Sequence, residues 1–171
     1  MYPPFYKTKN YELVPYQQKD LERYLEIALD SDVVEYMGGA TGDIEKEMKM
    51  FEKIFEIYRN QDQQRWFWIW AVYRDQTLCA HVEVKQTQDT AEDELEVVYM
   101  VHPAERRIGL MTEVLNFIKA KQSDWKRTII ATIYPENEHS YKLLEQIGIE
   151  RQELITDAET GETFKKVWMK T

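Results

Sequence analysis

The stretch Tyr99-Met100-Val101-His102-Pro103-Ala104-Glu105-Arg106-Arg107-Ile108-Gly109-Leu110-Met111-Thr112-Glu113 sets two arginines and a glycine between a β-rich run and an apolar run at helical spacing. A loop that opens directly into a helix offers unpaired backbone N–H groups and a partial positive charge at the helix start. Those features suit a phosphate. Gly109 lets the backbone approach an anion with no Cβ in the way, and Arg106 and Arg107 add cationic donors. The second and third glycines of a dinucleotide fingerprint are missing, and no Gly-Lys-Ser/Thr of a P-loop follows. Two readings fit: a phosphate-binding loop, or an ordinary strand-to-helix turn with surface arginines.

Glu96 precedes the loop on the same β-rich run, flanked by Leu95 and Val97. A carboxylate among apolar neighbours has its pKa raised and can act as a base, directly or through water. The alternative is a solvated, edge-facing glutamate. Asn137 opens a second helical run and most simply caps it. His81, His102 and His139 show no metal-ligand spacing and read as structural or surface residues. Cys79, in Leu78-Cys79-Ala80, reads as a small core residue. A lone cysteine leaves no internal disulfide and no Cys-based zinc site.

These residues need a scaffold, and the hydrophobic pattern supplies one. Residues 11–14 read as a short strand stopped by Pro15. Residues 19–29 carry Leu21, Tyr24, Leu25, Ala28 and Leu29 at helical spacing, and a short helix covers 33–37. The connector 38–43 holds three of the six glycines and ends at Asp43, which is placed to cap a helix with Ile44, Met48, Phe51, Phe55 and Tyr58 on one stripe. Residues 66–74 are apolar on both faces, as a central strand should be. Its Trp66, Trp68 and Trp70 row reads as core. Arg74-Asp75-Gln76-Thr77 turns into a strand over 78–85, followed by a polar loop and a strand over 94–101. A helix over 108–121 turns Ile108, Met111, Leu115 and Ile118 inward. A strand over 127–134, a helix over 137–147 and a hairpin of 149–157 with 163–170 around residues 158–161 complete the chain. The unit 94–134 implies a parallel crossover, and the meander before it is antiparallel.

At 171 residues the chain is expected to be one domain, residues 1–171. Its net charge of −9 and pI of about 4.9 repel phosphate backbones, so nucleic acid is not an expected partner. Cationic substrates are favoured instead. The N-terminus has neither the basic nor the apolar region of a signal peptide, and no apolar run approaches the ~18 residues of a membrane span. The expected compartment is the cytoplasm.

Arg106-Arg107-Ile108-Gly109-Leu110-Met111 resembles the [Gln/Arg]-x-x-Gly-x-[Gly/Ala] acetyl-CoA signature of the GNAT acetyltransferases, and Val101-His102-Pro103 resembles its usual lead-in. Asn137-Glu138-His139-Ser140, running on to Gly148-Ile149, resembles the family's later Asn-x-x-Ser…Gly-Phe element. Gly109-Leu110-Met111-Thr112-Glu113-Val114 is similar to the ribosomal-protein N-acetyltransferase (RimJ/RimL-like) branch. The resemblance implies an α/β (α+β mixed) fold with a central mixed, mostly antiparallel sheet of six to seven strands and helices on both faces. It implies acetyl-CoA as acyl donor and direct attack by an amine, with no metal. On that pattern Arg106, Arg107, Ile108, Gly109, Leu110, Met111 and Thr112 hold the pyrophosphate. Met100 and Val101 pair with the pantetheine and offer oxyanion donors. Asn137 and Ser140 contact the cofactor, and Ser140, with Tyr141 as a weaker candidate, is the acid for the leaving thiolate. The sequence departs from the pattern twice. Met111 fills a Gly/Ala slot, and Leu144 stands where many members carry a tyrosine. The acceptor expected is a protein N-terminus or a small cationic amine. The alternatives are a catalytically silent acetyl-CoA-binding sensor and an interaction module. Pairing of the C-terminal hairpin between chains would make a homodimer.

Overall fold

Residues 67–74 are aromatic, β-branched or small in almost unbroken sequence, which suits a strand buried on both faces. The computed structural model describes residues 2–37, 41–60, 65–157 and 160–171. Its strands are β1 (Tyr6–Lys7), β2 (Glu12–Val14), β3 (Phe67–Arg74), β4 (Thr77–Lys85), β5 (Glu94–Val101), β6 (Thr128–Ile133), β7 (Ile149–Thr156) and β8 (Thr163–Met169). Its helices are α1 (Leu21–Ala28), α2 (Ser31–Tyr36), α3 (Ile44–Arg59), α4 (Leu110–Ala120), α5 (Gln122–Trp125) and α6 (Glu138–Ile147). Hydrogen-bonded strands follow the order β1-β2-β3-β4-β5-β6-β8-β7. Strands β5 and β6 pair in parallel, whereas β1–β2, β2–β3, β3–β4, β6–β8 and β7–β8 are antiparallel. The sheet is therefore mixed and mostly antiparallel, as expected, with eight strands where six to seven were expected. The extra one, β1, has two residues, too few to show a period.

The chain gathers into two compact units, Met1–Lys85 with Val98–Leu110, and Gln86–Val97 with Met111–Thr171. In the first, Trp68 to Tyr73 of β3 are buried, with Trp70 and Val72 fully so. The tryptophan row packs edge to face, its ring centroids 4.3 Å apart from Trp66 to Trp68 and 5.6 Å from Trp68 to Trp70. Asp75 and Gln76 take φ of 50° and 65° in the two-residue turn into β4, as the twist of a tight hairpin requires. One apolar cluster joins Tyr16, Tyr24 and Ile27 to Phe51, Ile54 and Tyr58 of α3, Ile69 and Ala71 of β3, and Met100 of β5.

In the second unit the first half of β5 pairs with β6, Leu95 opposite Ile129. Val114, Leu115 and Ile118 of α4 and Leu144 and Ile147 of α6 are buried. Lys119 ties these helices by donating to the Ile147 carbonyl at 2.7 Å. Gly148 ends α6 at φ +107°, a conformation open to glycine at least cost.

Two expectations need correcting. Helix α4 begins at Leu110, not 108, because Arg107 and Gly109 take left-handed φ values of 63° and 81°. Ile108 is thus a loop residue, 48% exposed, not an inward helical one. On α3, Ile44 and Met48 are exposed, and the buried face runs Glu47, Phe51, Ile54 and Tyr58. Glu47 belongs inside because its carboxylate accepts from the Thr41 amide at 2.9 Å and hydroxyl at 2.8 Å. Asp43 caps α3 as expected, accepting from the amides of Glu45 and Lys46. Of the glycine-rich connector, Gly38, Gly39 and Ala40 lie outside the described residues, as do Ala158 and Glu159 of the hairpin turn.

Candidate acetyl-CoA site

The loop between β5 and α4 is held by charge. His102 caps a short 3-10 turn, Pro103–Glu105, by accepting the Ala104 amide on Nδ1 at 3.1 Å. Its proton therefore sits on Nε2, which donates to Glu26 at 2.8 Å. That bond, with those from Arg23, holds the Glu26 carboxyl below its ordinary range. Glu105 is buried and takes Arg74 at 2.7 Å and Arg23 at 3.8 Å. A buried carboxylate needs such partners.

After this anchor the backbone turns outward. Arg107 and Gly109 occupy the left-handed region, and a Cβ on Gly109 would meet nothing within 4 Å. Backbone amides in a left-handed turn of this kind can line a concave anion site. The open space over Gly109 is what a pyrophosphate would need, so these residues fit the group. The two arginines differ. Arg106 bonds Asp32 at 2.8 Å and also Asp30, the carboxylate that caps α2. Arg107 is exposed. Met111 is 6% exposed, its thioether turned into the protein. Met100 is buried, and Val101 is half-buried at the end of β5.

In the second unit, Glu96 is half-buried between the buried Leu95 and Val97, with its Cα opposite Ile130 of β6. Glu94, two residues earlier, is fully committed to Trp168 Nε1 at 2.6 Å, Lys166 at 2.9 Å and the Ala91 amide at 3.0 Å. Thr112 is half-buried in the first turn of α4, its carbonyl accepting from Asn116 at 2.8 Å. Asn137 caps α6 by accepting the Ser140 amide at 3.0 Å, so these two expected cofactor contacts are joined by a hydrogen bond. The Tyr141 hydroxyl donates to Gln152 at 2.9 Å, under the Lys165 ammonium. Leu144 is fully buried, an aliphatic core residue.

A polar row on β4 was passed over by sequence reasoning. His81 is 3% exposed, with Nδ1 3.0 Å from the Tyr16 hydroxyl and Nε2 3.2 Å from Glu83. Lys85 donates to the other Glu83 oxygen at 2.6 Å. Burial pushes the Glu83 carboxyl up, but the hydrogen bond and charge of His81 and the Lys85 ammonium outweigh it, leaving it lowered to about 2. The period-2 spacing was visible. The partner Tyr16, 65 positions away, was not.

Strand β5 of the mixed sheet thus runs through a loop with left-handed backbone at Arg107 and Gly109 into α4. Residues 11–150 match the family described as Acetyltransferase (GNAT) domain, and the chain belongs to that family. It is an acetyltransferase of the GNAT type. Among solved structures it is similar to a GNAT-family acetyltransferase from Bacillus anthracis, with 22% identity, a TM-score of 0.75 and 96% of each chain covered. It is also similar to the RimL ribosomal L7/L12 alpha-N-protein acetyltransferase in complex with coenzyme A, with 9% identity, a TM-score of 0.73, and 96% and 97% covered. The microcin C7 self-immunity acetyltransferase MccE, in complex with acetyl-CoA and AMP, shares 12% identity at a TM-score of 0.71, with 95% and 93% covered. No curated protein matches the chain.

Proposed function

We propose that this chain, as one acetyltransferase domain, moves an acetyl group from acetyl-CoA to a primary amine on a protein N-terminus or a small cationic molecule. The observation that carries the proposal is the open, left-handed loop at Arg107–Gly109 feeding α4, inside the segment that matches the family. The cofactor supplies an activated acyl thioester. The loop amides of Ile108, Gly109, Leu110, Met111 and Thr112 take its pyrophosphate, with Arg107 as the cationic donor. Asn137 and Ser140 serve the same ligand. The Met100 and Val101 amides lie on the strand that reads as the pantetheine partner, and they are the proposed donors to the negative charge that develops on the acyl oxygen.

An amine at neutral pH is mostly an ammonium and must lose a proton before it can attack. Glu96 is the proposed acceptor of that proton, on a carboxylate oxygen, directly or through water. Ser140 Oγ is the proposed donor to the leaving thiolate. The neighbour RimL, named an alpha-N-protein acetyltransferase, supports a nitrogen acceptor.

The test is thiol release from acetyl-CoA with a panel of peptide N-termini, polyamines and aminoglycosides. Turnover with at least one amine, lowered about 10²-fold or more by Glu96→Gln at unchanged acetyl-CoA affinity, is expected. Binding of acetyl-CoA with no turnover on any amine favours the silent sensor, and the fully buried Leu144 gives that reading its structural support.

A further inference from the structure

The residues His81, Glu83 and Lys85 occupy alternate positions on β4, so they share one face of the strand. Their partners across the ladder on β3 are Ala71, Ile69 and Phe67. Ile69 and Ala71 belong to the apolar cluster built with Tyr16, Tyr24, Phe51 and Met100. The His81 ring lies 5.6 Å from Tyr16 and 6.0 Å from Tyr24. Ionic groups set into such a core are seldom better for stability than apolar residues of the same size. Packing alone gives no reason for three in a row.

The row has a direction. Tyr16 fixes one nitrogen of His81, and the other nitrogen fixes one oxygen of Glu83. The second oxygen faces Lys85, whose ammonium lies 2.6 Å from it and 5.4 Å from the centre of the Phe67 ring. A carboxylate oxygen beside an aromatic face is a setting that recognises a primary ammonium. Lys85 shows that this one does. Its side chain is 24% exposed on the last residue of β4, and that of Glu83 is 16% exposed, so both side chains are reached by solvent.

Glu83 stays ionised at any working pH, which makes it a poor proton acceptor and a good anchor. An ammonium held there keeps its charge and cannot be the nucleophile. A molecule that uses the anchor and also reacts must therefore carry a second amine.

We infer that Glu83 is a binding residue for a diamine or polyamine acceptor, one of whose ammonium groups replaces the Lys85 ammonium on Oε2, with His81 as the positioning residue that aims the carboxylate. The inference rests on the acetyltransferase reading above.

The test is titration of the full chain with 1,4-diaminobutane, following the His81 ring nitrogens and the Lys85 Nζ by ¹⁵N NMR. Acetyl-CoA binding is measured on the same samples by calorimetry. Saturable shifts are expected in the wild type. Affinity should fall at least about tenfold in Glu83→Gln and rise in Lys85→Met, where the competing ammonium is gone. Acetyl-CoA affinity should be the same in all three. Opposite signs from two neighbouring variants are not what a merely structural pair would give. If Glu83→Gln does not fold, the sign of the Lys85→Met change decides alone. No saturable shift in the wild type, or variants that bind the diamine like the wild type, overturns the inference. A wild type that fails to bind acetyl-CoA instead contradicts the acetyltransferase reading, so the two failures are told apart.

Discussion

Arg106 and Arg107 are neighbours in sequence with different surroundings. Arg106 spends its guanidinium on Asp30 and Asp32, while Arg107 stands exposed on a left-handed backbone beside the open face of Gly109. Arg107→Ala is therefore expected to weaken acetyl-CoA binding about tenfold and to reduce its salt dependence, since it removes the proposed phosphate partner. Arg106→Ala should lower the thermal midpoint by a few degrees, given that partly exposed ion pairs contribute about 1 kcal/mol and a chain of this size loses roughly 2–4 °C for that. Calorimetry and thermal unfolding on both variants separate the roles. Glu83 makes a pH prediction. Its folded pKa, about 2, lies below the ordinary 4.5, so its ionised form stabilises the fold above about pH 4.5. That contribution, on the order of 3 kcal/mol, is lost as the pH falls toward 2. The gap in stability between wild type and Glu83→Gln should be full at pH 7 and should close in acid. A gap that persists at pH 2–3 would show that its source is not the charge.

Helix α6 begins at Asn137, whose side chain accepts the Ser140 amide. Asn137→Ala should cost about 1 kcal/mol, roughly 2–4 °C in the midpoint, and Asn137→Asp should restore it. If Asn137 also serves the cofactor, Asn137→Ala lowers acetyl-CoA affinity as well. Elements of this kind were legible in advance. The strand over 94–101 was placed to the residue, because apolar β-formers end at Pro103. The helix after Asn137 and the hairpin after Gly148 were placed within a residue or two at each end. The start of α4 was misplaced because Ile108 fits the helical period, whereas the positive φ of Arg107 and Gly109 is a backbone property no period reports. The α3 stripe was misread where Glu47 displaces Met48 from the interior, since its hydrogen bonds to Thr41 cannot be seen in a hydropathy pattern. The turn between β5 and α4 was legible through Gly109 and the helix behind it. The commitment of Arg106 was not, because its partners lie 74 and 76 positions away.

Over the whole molecule, a net charge of −9 on 171 residues favours approach of cations and discourages polyanions. No described helix is long and apolar enough to cross a membrane. The family match covers residues 11–150 and so takes in parts of both compact units. The proposed activity requires first that the molecule bind acetyl-CoA through the loop at Gly109. Titration calorimetry with acetyl-CoA on the wild type, Gly109→Asn and Gly109→Glu tests this most directly. Asparagine tolerates the left-handed backbone and adds no charge, so Gly109→Asn controls for folding. Gly109→Glu fills the open space and repels the phosphates. One-to-one binding by the wild type is expected, retained at least in part by Gly109→Asn and abolished in Gly109→Glu. No binding by the wild type, or equal binding by Gly109→Glu, would contradict it.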